Sequence, residues 1–273
     1  MQTEPGTLIA SGRTADVYAW GTDQVIKLFH DWFELENIQF EQRIAQAVQA
    51  SGLPVPAVGE VVQVGGRNGL IYQRVDGRPM WEALTRQPWR LLHLASRTAE
   101  LHALLHMTTA PVELPDQQRR LRRKLEEARA LPEALRQRAL MALDQLPAGD
   151  KLCHGDFHPG NILLTAHGEV IIDWIDVTRG NPLADLARTS ILALGAASTA
   201  QVPQAAMKGS LRLFHALYLR HYFRIRPGGL AEYRRWLPVV AAARLDENIP
   251  ELEQWLVKQV VKVKGIIGEM LPL

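Results

Sequence analysis

The chain has one cysteine, almost no net charge and no long hydrophobic run. With Cys153 alone, no internal disulfide can form and a cysteine-rich metal centre is excluded. The 31 Lys and Arg nearly cancel the 29 Asp and Glu, leaving +2. That is too close to balance for the broad basic surface of a polyanion-binding protein, so no nucleic-acid partner is expected. No segment approaches the ~20 apolar residues of a membrane span. The first six residues lack the basic start and apolar core of a signal peptide, so a cytoplasmic location away from membranes is expected. What remains is 273 residues, 47% of them hydrophobic, enough for one compact unit of two lobes, or two small domains, with a substantial core.

The first third reads as strands separated by turns, with one helix. Apolar alternation over residues 7–10, 16–20 and 24–29 is broken by Ser11-Gly12-Arg13-Thr14 and Gly21-Thr22-Asp23, the pattern of a meander. Helical spacing follows over 33–50; Gly52 closes that helix, and Pro54 and Pro56 forbid its continuation. Two more strands are expected at 60–64 and 69–75, joined by Gly65-Gly66-Arg67-Asn68. Beyond Asp76-Gly77 helices dominate: 89–107, two charged helices over 115–146 divided near Pro132, and 183 to the end, interrupted by a β-rich island at 152–177. This order specifies an α+β fold, not the regular alternation of a doubly wound sheet. The expected lobes are residues 1–76 and 77–273.

The densest chemical signal is His154-Gly155-Asp156-Phe157-His158-Pro159-Gly160-Asn161, followed by Val170-Ile171-Ile172-Asp173-Trp174. Asp156 and Asn161 share one tight loop before an apolar strand. Asp173 ends the next strand, and a hairpin through His167-Gly168 would return it beside that loop. Two carboxylates and an amide oxygen at strand ends form a hard donor set suited to Mg²⁺, completed by waters and substrate phosphates. A hydrolytic metal centre built from His154, Asp156 and His158 is the rival, but no further His/Asp segments stand in supporting order.

This segment resembles the catalytic loop and metal-binding strand of the aminoglycoside phosphotransferase/choline kinase family, with its His-x-Asp-x-x-x-x-Asn pattern and a later Asp. It also resembles the protein-kinase loop. However, Gly155 stands where arginine is usual, and Asp173-Trp174-Ile175 replaces Asp-Phe-Gly, departures that favour the small-molecule branch. The resemblance implies a bilobal protein-kinase-like fold with a small antiparallel N-lobe sheet and a larger, mostly helical C-lobe. It implies transfer of the γ-phosphoryl group of ATP, or GTP, to a hydroxyl of a small molecule. Asp156 would be the catalytic base, and Asn161 and Asp173 would hold Mg²⁺ against the phosphates, with Asp176 a further helper.

The same resemblance calls for a strand lysine facing the phosphates and a helix glutamate holding it. Lys27, inside Val25-Ile26-Lys27-Leu28-Phe29, fits, since a charge there is costly unless paired. Glu41 is its expected partner, in preference to Glu34 or Glu36. Gly12 marks the phosphate-covering turn, which carries one glycine where protein kinases have three. Backbone groups from Gln73 to Val75 would meet the adenine edge. Asp185, in Pro182-Leu183-Ala184-Asp185-Leu186-Ala187, is expected to anchor a loop.

For the acceptor, the region between Leu186 and Leu245 holds nine basic residues and one acid, Glu232. That imbalance argues against a polycationic acceptor. Tyr218, Tyr222, Tyr233, Trp236 and Trp255 are expected to be core residues at helical spacing more than a cation-binding box. The run 119–124 reads as a solvated helix face paired to Glu126 and Glu127. His102 and His106, four apart, are expected to pack.

Overall fold

A computed structural model describes residues 4–199 and 205–261. The last residues expected to be helical, 262–273, lie outside the described residues. Two compact units are present: one contains the chain as far as Ala83 together with Pro159–Asp176, the other Leu84–His158 and the chain from Val177 onward.

The first unit is built on a five-stranded antiparallel sheet in the order β1-β2-β3-β5-β4. Its strands are β1 (Leu8–Ser11), β2 (Ala15–Trp20), β3 (Gln24–Phe29), β4 (Val58–Val64) and β5 (Arg67–Gln73). The period-2 alternation of β3 sorts its residues to two faces. Ile26 and Leu28 join Trp20 and Val64 in one apolar cluster. Phe29 joins Ala15 and Leu70 against Ile38 of helix α1 (Leu35–Gln49) in the other. Lys27, two residues from Phe29, shares the helix-facing side. Its register partners are Val17 on β2 and Leu70 on β5.

A smaller sheet in the same unit orders β6 (Gly77–Pro79), β8 (Ile162–Thr165) and β9 (Gly168–Ile171). The Ile171 amide donates to the Pro54 carbonyl at 2.8 Å, tying β9 to the segment after α1. The packing units therefore do not coincide with a boundary at 76/77. Residues 77–83 and 159–176 pack with the N-terminal sheet, because three residues of β6 pair with the β8–β9 hairpin. A three-residue strand is too short to show a period, which is why β6 was invisible in the sequence.

The second unit is helical. Its main members are α3 (Leu91–Met107), α4 (Gln117–Glu127), α5 (Glu133–Asp144), α6 (Pro182–Ala196), α7 (Ala205–Ile225), α8 (Leu230–Arg244) and α9 (Pro250–Val261). A short helix, α2 (Met80–Arg86), precedes them. Two three-residue strands, β7 (Lys151–Cys153) and β10 (Thr178–Gly180), pair antiparallel in this unit. The start of α6 is specified locally: Asn181 accepts from the Leu183 amide at 2.8 Å, and Pro182 occupies the first turn where its missing N–H is harmless. Trp236, Tyr218, Tyr222 and Tyr233 are buried in this core, and Trp255 is half-buried. No helix among the described residues is long and apolar enough to cross a membrane.

Candidate active site

In α1 the apolar stripe runs Ile38, Ile44, Val48, and Glu41 falls within it, so helical geometry carries this carboxylate inward. It meets the Lys27 ammonium at 2.7 Å, with side-chain exposures of 21% and 7% for lysine and glutamate. Glu41, not Glu34 or Glu36, is the partner. Tyr72, on the same face of β5, also donates to Glu41 Oε1 at 2.9 Å. Burial, then the Glu41 charge, pushes the Tyr72 phenol well above its usual range, with Asp173 adding to the rise. Glu41 and Asp173 thus both act on the Tyr72 phenol within the sheet unit.

Asn161 belongs to the same unit, in a 3₁₀ turn (Pro159–Asn161) before β8. Its carbonyl accepts from the Ile172 amide at 3.0 Å, which sets its backbone beside the residue preceding Asp173. The Asn161 side chain is buried, whereas Asp173 is exposed. Asp173 adopts φ 64°, the left-handed conformation that costs a non-glycine residue roughly 1–2 kcal/mol. One amide oxygen and one carboxylate, presented on adjoining backbone, fit a hard divalent cation.

Gly12 closes the β1–β2 turn, its amide donating to the Ala15 carbonyl at 2.9 Å. Beside it, Ser11 donates to Asp16 at 2.5 Å, the chief cause of that carboxyl lying below its usual range. At the end of β5 the Gln73 amide donates to Ala57 and the Arg74 amide to Asp23, each at 2.8 Å. Of the amides of Gln73, Arg74 and Val75, that of Val75 is the one these bonds do not engage.

Asp156 lies in the helical unit, on the loop after β7. Burial opposes its ionisation. The bond from His158 (Nε2 to Oδ2, 3.4 Å) and the charges of His158, Arg188 and His154 outweigh it, holding the carboxyl at about 2. Its own amide donates to His154 Nδ1 at 3.2 Å. The loop is anchored from α6: Asp185 accepts the amides of His154 at 2.7 Å and Gly155 at 2.8 Å. Arg188, one turn on, donates its Nε to the Gly155 carbonyl at 3.0 Å.

Asp185 is also the acidic partner of the two α3 histidines. Its Oδ2 accepts from His102 Nε2 at 3.0 Å and His106 Nε2 at 3.3 Å, while Tyr218 and Tyr222 of α7 bond the opposite nitrogens at 2.5 and 2.6 Å. Four donors converging on one carboxylate favour its ionised form, which accepts on both oxygens. Burial, reinforced by His102, takes His106 down to about 3, and the two histidine bonds hold Asp185 well below the carboxylate range despite its own burial. The tyrosine hydroxyls are therefore spent inside the core, which removes them from any cation box.

The basic run of α4 is not uniformly a solvated face. Arg122 pairs with Asp144 of α5, and Lys124 reaches Glu247 at 3.5 Å. Sequence reading missed Tyr72, Arg244 and Glu247. The only available signal was the position of Tyr72 two residues from Leu70 on one strand face; Arg244 and Glu247 stand in helical sequence with nothing to mark them.

The description "phosphotransferase enzyme family" matches residues 5–227. Among curated proteins, none matched the sequence. Solved structures similar to this chain include a choline/ethanolamine kinase family protein from Mesorhizobium loti, 17% identical, covering 97% of this chain and 88% of that one with TM-score 0.59. The ADP-bound aminoglycoside phosphotransferase APH(2'')-Ib is 16% identical over 94% of this chain and 90% of its own, with TM-score 0.61. An amicoumacin kinase in complex with AMP-PNP, Ca²⁺ and its ligand is 17% identical over 96% and 88%, with TM-score 0.62. These neighbours share the protein-kinase-like fold, with its N-terminal antiparallel sheet and helical C-terminal part. With the family match running through most of its length, the chain belongs to the phosphotransferase enzyme family.

Proposed function

We propose that this protein is a Mg²⁺-dependent kinase that transfers the γ-phosphoryl group of ATP, or GTP, to a hydroxyl of a small molecule. The observation that carries the reading is the Lys27–Glu41 pair at 2.7 Å, on the face of the sheet that packs against α1. A buried ion pair is weak evidence for stability alone, and here it holds an ammonium ready for phosphate oxygens.

In this reading residues 1–76 handle nucleotide, while residues 77–273 supply the reacting loop and the acceptor site. Lys27, oriented by Glu41, steadies the α- and β-phosphates. The turn at Gly12 covers them. The Gln73 carbonyl and the Val75 amide take the adenine edge. Asn161 and Asp173 would hold Mg²⁺, which would supply positive charge against that developing on the transferred group. Asp156 accepts a hydrogen bond from the acceptor hydroxyl and aligns it. A carboxyl held at about 2 is ionised throughout the neutral range and is a weak base. That suits a loose transition state, where orientation matters more than early proton removal.

Phosphorylation of a protein is the less favoured reading. The segment between Asp173 and α6 is short, and its one hydroxyl residue, Thr178, is buried in β10 paired to β7. A nucleotide-binding pseudokinase would lack the full set of Lys27, Asp156, Asn161 and Asp173.

Nucleotide-diphosphate release, followed with ATP and GTP and Mg²⁺ across a panel of hydroxyl acceptors, tests the proposal. Acceptor-dependent release that falls by about 10²-fold or more in Asp156→Asn is expected. Absence of nucleotide binding would defeat the reading; binding without turnover of any acceptor would favour the pseudokinase.

A further inference from the structure

Beside the Asp156 loop, the helical unit holds a charge cluster drawn from three helices and a turn. Glu247, in the 3₁₀ turn after α8, takes Arg188 Nη2 at 2.6 Å and Lys124 Nζ at 3.5 Å on Oε1. Its Oε2 lies 3.5 Å from Nε of Arg244, the last residue of α8. One carboxylate thus faces three cations. Arg188 extends the cluster to the loop through its bond to Gly155, the residue before Asp156.

Arg244 is the anomaly. Its side chain is only 9% exposed, yet its Nε and Nη1 make no hydrogen bond among the described residues. Burial first, and Arg188 second, bring the guanidinium down to about 10, so it is still charged at neutral pH. A buried cation with unmade hydrogen bonds is costly, and such costs persist where a partner arrives from outside. Bracing of the loop accounts for Arg188, which bonds both Gly155 and Glu247, and leaves Arg244 unexplained. The cluster is not sealed: Arg188, Lys124 and Glu247 keep 15%, 17% and 20% of their side-chain surface, and Asp156 25%.

We infer that the acceptor carries an anionic group, a carboxylate or a phosphate near its reacting hydroxyl, and that Arg244, with Arg188 and Lys124 beside it, holds that group next to Asp156. The inference rests on the kinase reading for the word acceptor, and on the cluster alone for the anion. Guanidinium is the side chain best shaped for a carboxylate or phosphate, offering parallel donors that an ammonium lacks. Glu247 then serves as an internal counter-ion that keeps the cations together before the anion binds.

Thermal denaturation without nucleotide tests the anion site directly. D-glycerate and inorganic phosphate are compared with chloride at matched ionic strength and with neutral glycerol. Wild-type protein is expected to be stabilised by at least one of the two anions beyond chloride, and the larger response tells carboxylate from phosphate. Arg244→Gln should weaken that anion by at least about tenfold, Arg244→Lys should restore part of it, and Glu247→Gln should tighten it. A bracing role predicts the opposite for Glu247→Gln, a loss of stability with no gain in anion affinity. If Arg244→Gln does not fold, the Lys and Glu247 variants decide. Equal responses to the anions and chloride, or an undiminished response in Arg244→Gln, would overturn the inference. So would turnover of choline or ethanolamine in preference to D-glycerate. A parallel titration with a fluorescent ATP analogue separates the two readings: anion binding without nucleotide binding defeats the kinase reading alone, and the reverse defeats this one alone.

Discussion

Tyr72 donates its hydroxyl hydrogen to Glu41 Oε1 at 2.9 Å, the same oxygen that Lys27 reaches at 2.7 Å. A carboxylate 7% exposed needs both donors, and the tyrosine fixes the rotamer in which it can hold the lysine. Tyr72→Phe should keep the fold, lower stability by about 1–1.5 kcal/mol and weaken nucleotide binding by about 3–10-fold. Lys27→Met should remove turnover, leaving the Glu41 carboxylate buried with Tyr72 as its remaining donor in this group. A fluorescent-nucleotide titration beside urea unfolding measures both effects.

Asp185 collects four donors, from two backbone amides and two imidazoles, while 2% exposed. Asp185→Asn conserves shape but turns one acceptor into a donor aimed at donors. A loss of about 3–5 kcal/mol is expected, together with loosening of the His154–Gly155 backbone. Turnover should fall while nucleotide affinity stays close to wild type, because Asp185 and the residues proposed to handle nucleotide belong to different units. Equal loss of both would show that the whole protein, not the loop, had been disturbed.

How much of this was legible in the sequence varies with the range of the interactions. The strand meander, α1 and the long C-terminal helices follow from local period and from Gly and Pro punctuation, and Glu41 was recognisable by its depth in α1. The three-residue strands β6, β7 and β10 have no period to read; they exist because partners distant in sequence supply their hydrogen bonds. The same applies to side chains. His102 and His106 showed their spacing but not their acidic partner, because Asp185 is about eighty residues away. Lys124 looked like one charge in a solvated run until the fold set Glu247 beside it.

Two buried histidines give a pH dependence of known sign. Burial brings His106 to about 3 and His215 to about 4, both below the unfolded value of 6.5. The unfolded chain therefore binds more protons as pH falls from 6.5 towards 4, and each histidine removes about 1.4 kcal/mol of stability per pH unit there. The depressed carboxyls of Asp156 and Asp185 add their losses only below about pH 4. His215 also has a buried Nε2 that finds no hydrogen-bond partner among the described residues. His215→Leu should accordingly raise stability at pH 7 by about 1 kcal/mol and reduce the slope of stability against pH between 6.5 and 4.5. Urea unfolding at several pH values checks both.

Asp173 offers a way to separate backbone strain from chemistry. Its φ of 64° is tolerated by glycine and asparagine and resisted by alanine. Asp173→Gly and Asp173→Ala both delete the carboxylate, so they lose the same side-chain contacts and differ mainly in backbone preference. The glycine variant should be the more stable of the two by about 1 kcal/mol in urea unfolding, after allowing for its freer unfolded chain. Asp173→Asn should keep near-wild-type stability, since asparagine accepts this conformation and retains one oxygen. All three variants should lose Mg²⁺-dependent nucleotide-diphosphate release by about 10²-fold or more. Equal stability of the glycine and alanine variants would mean the backbone at 173 is not strained. Full activity in Asp173→Asn would mean that its charge does not hold the metal.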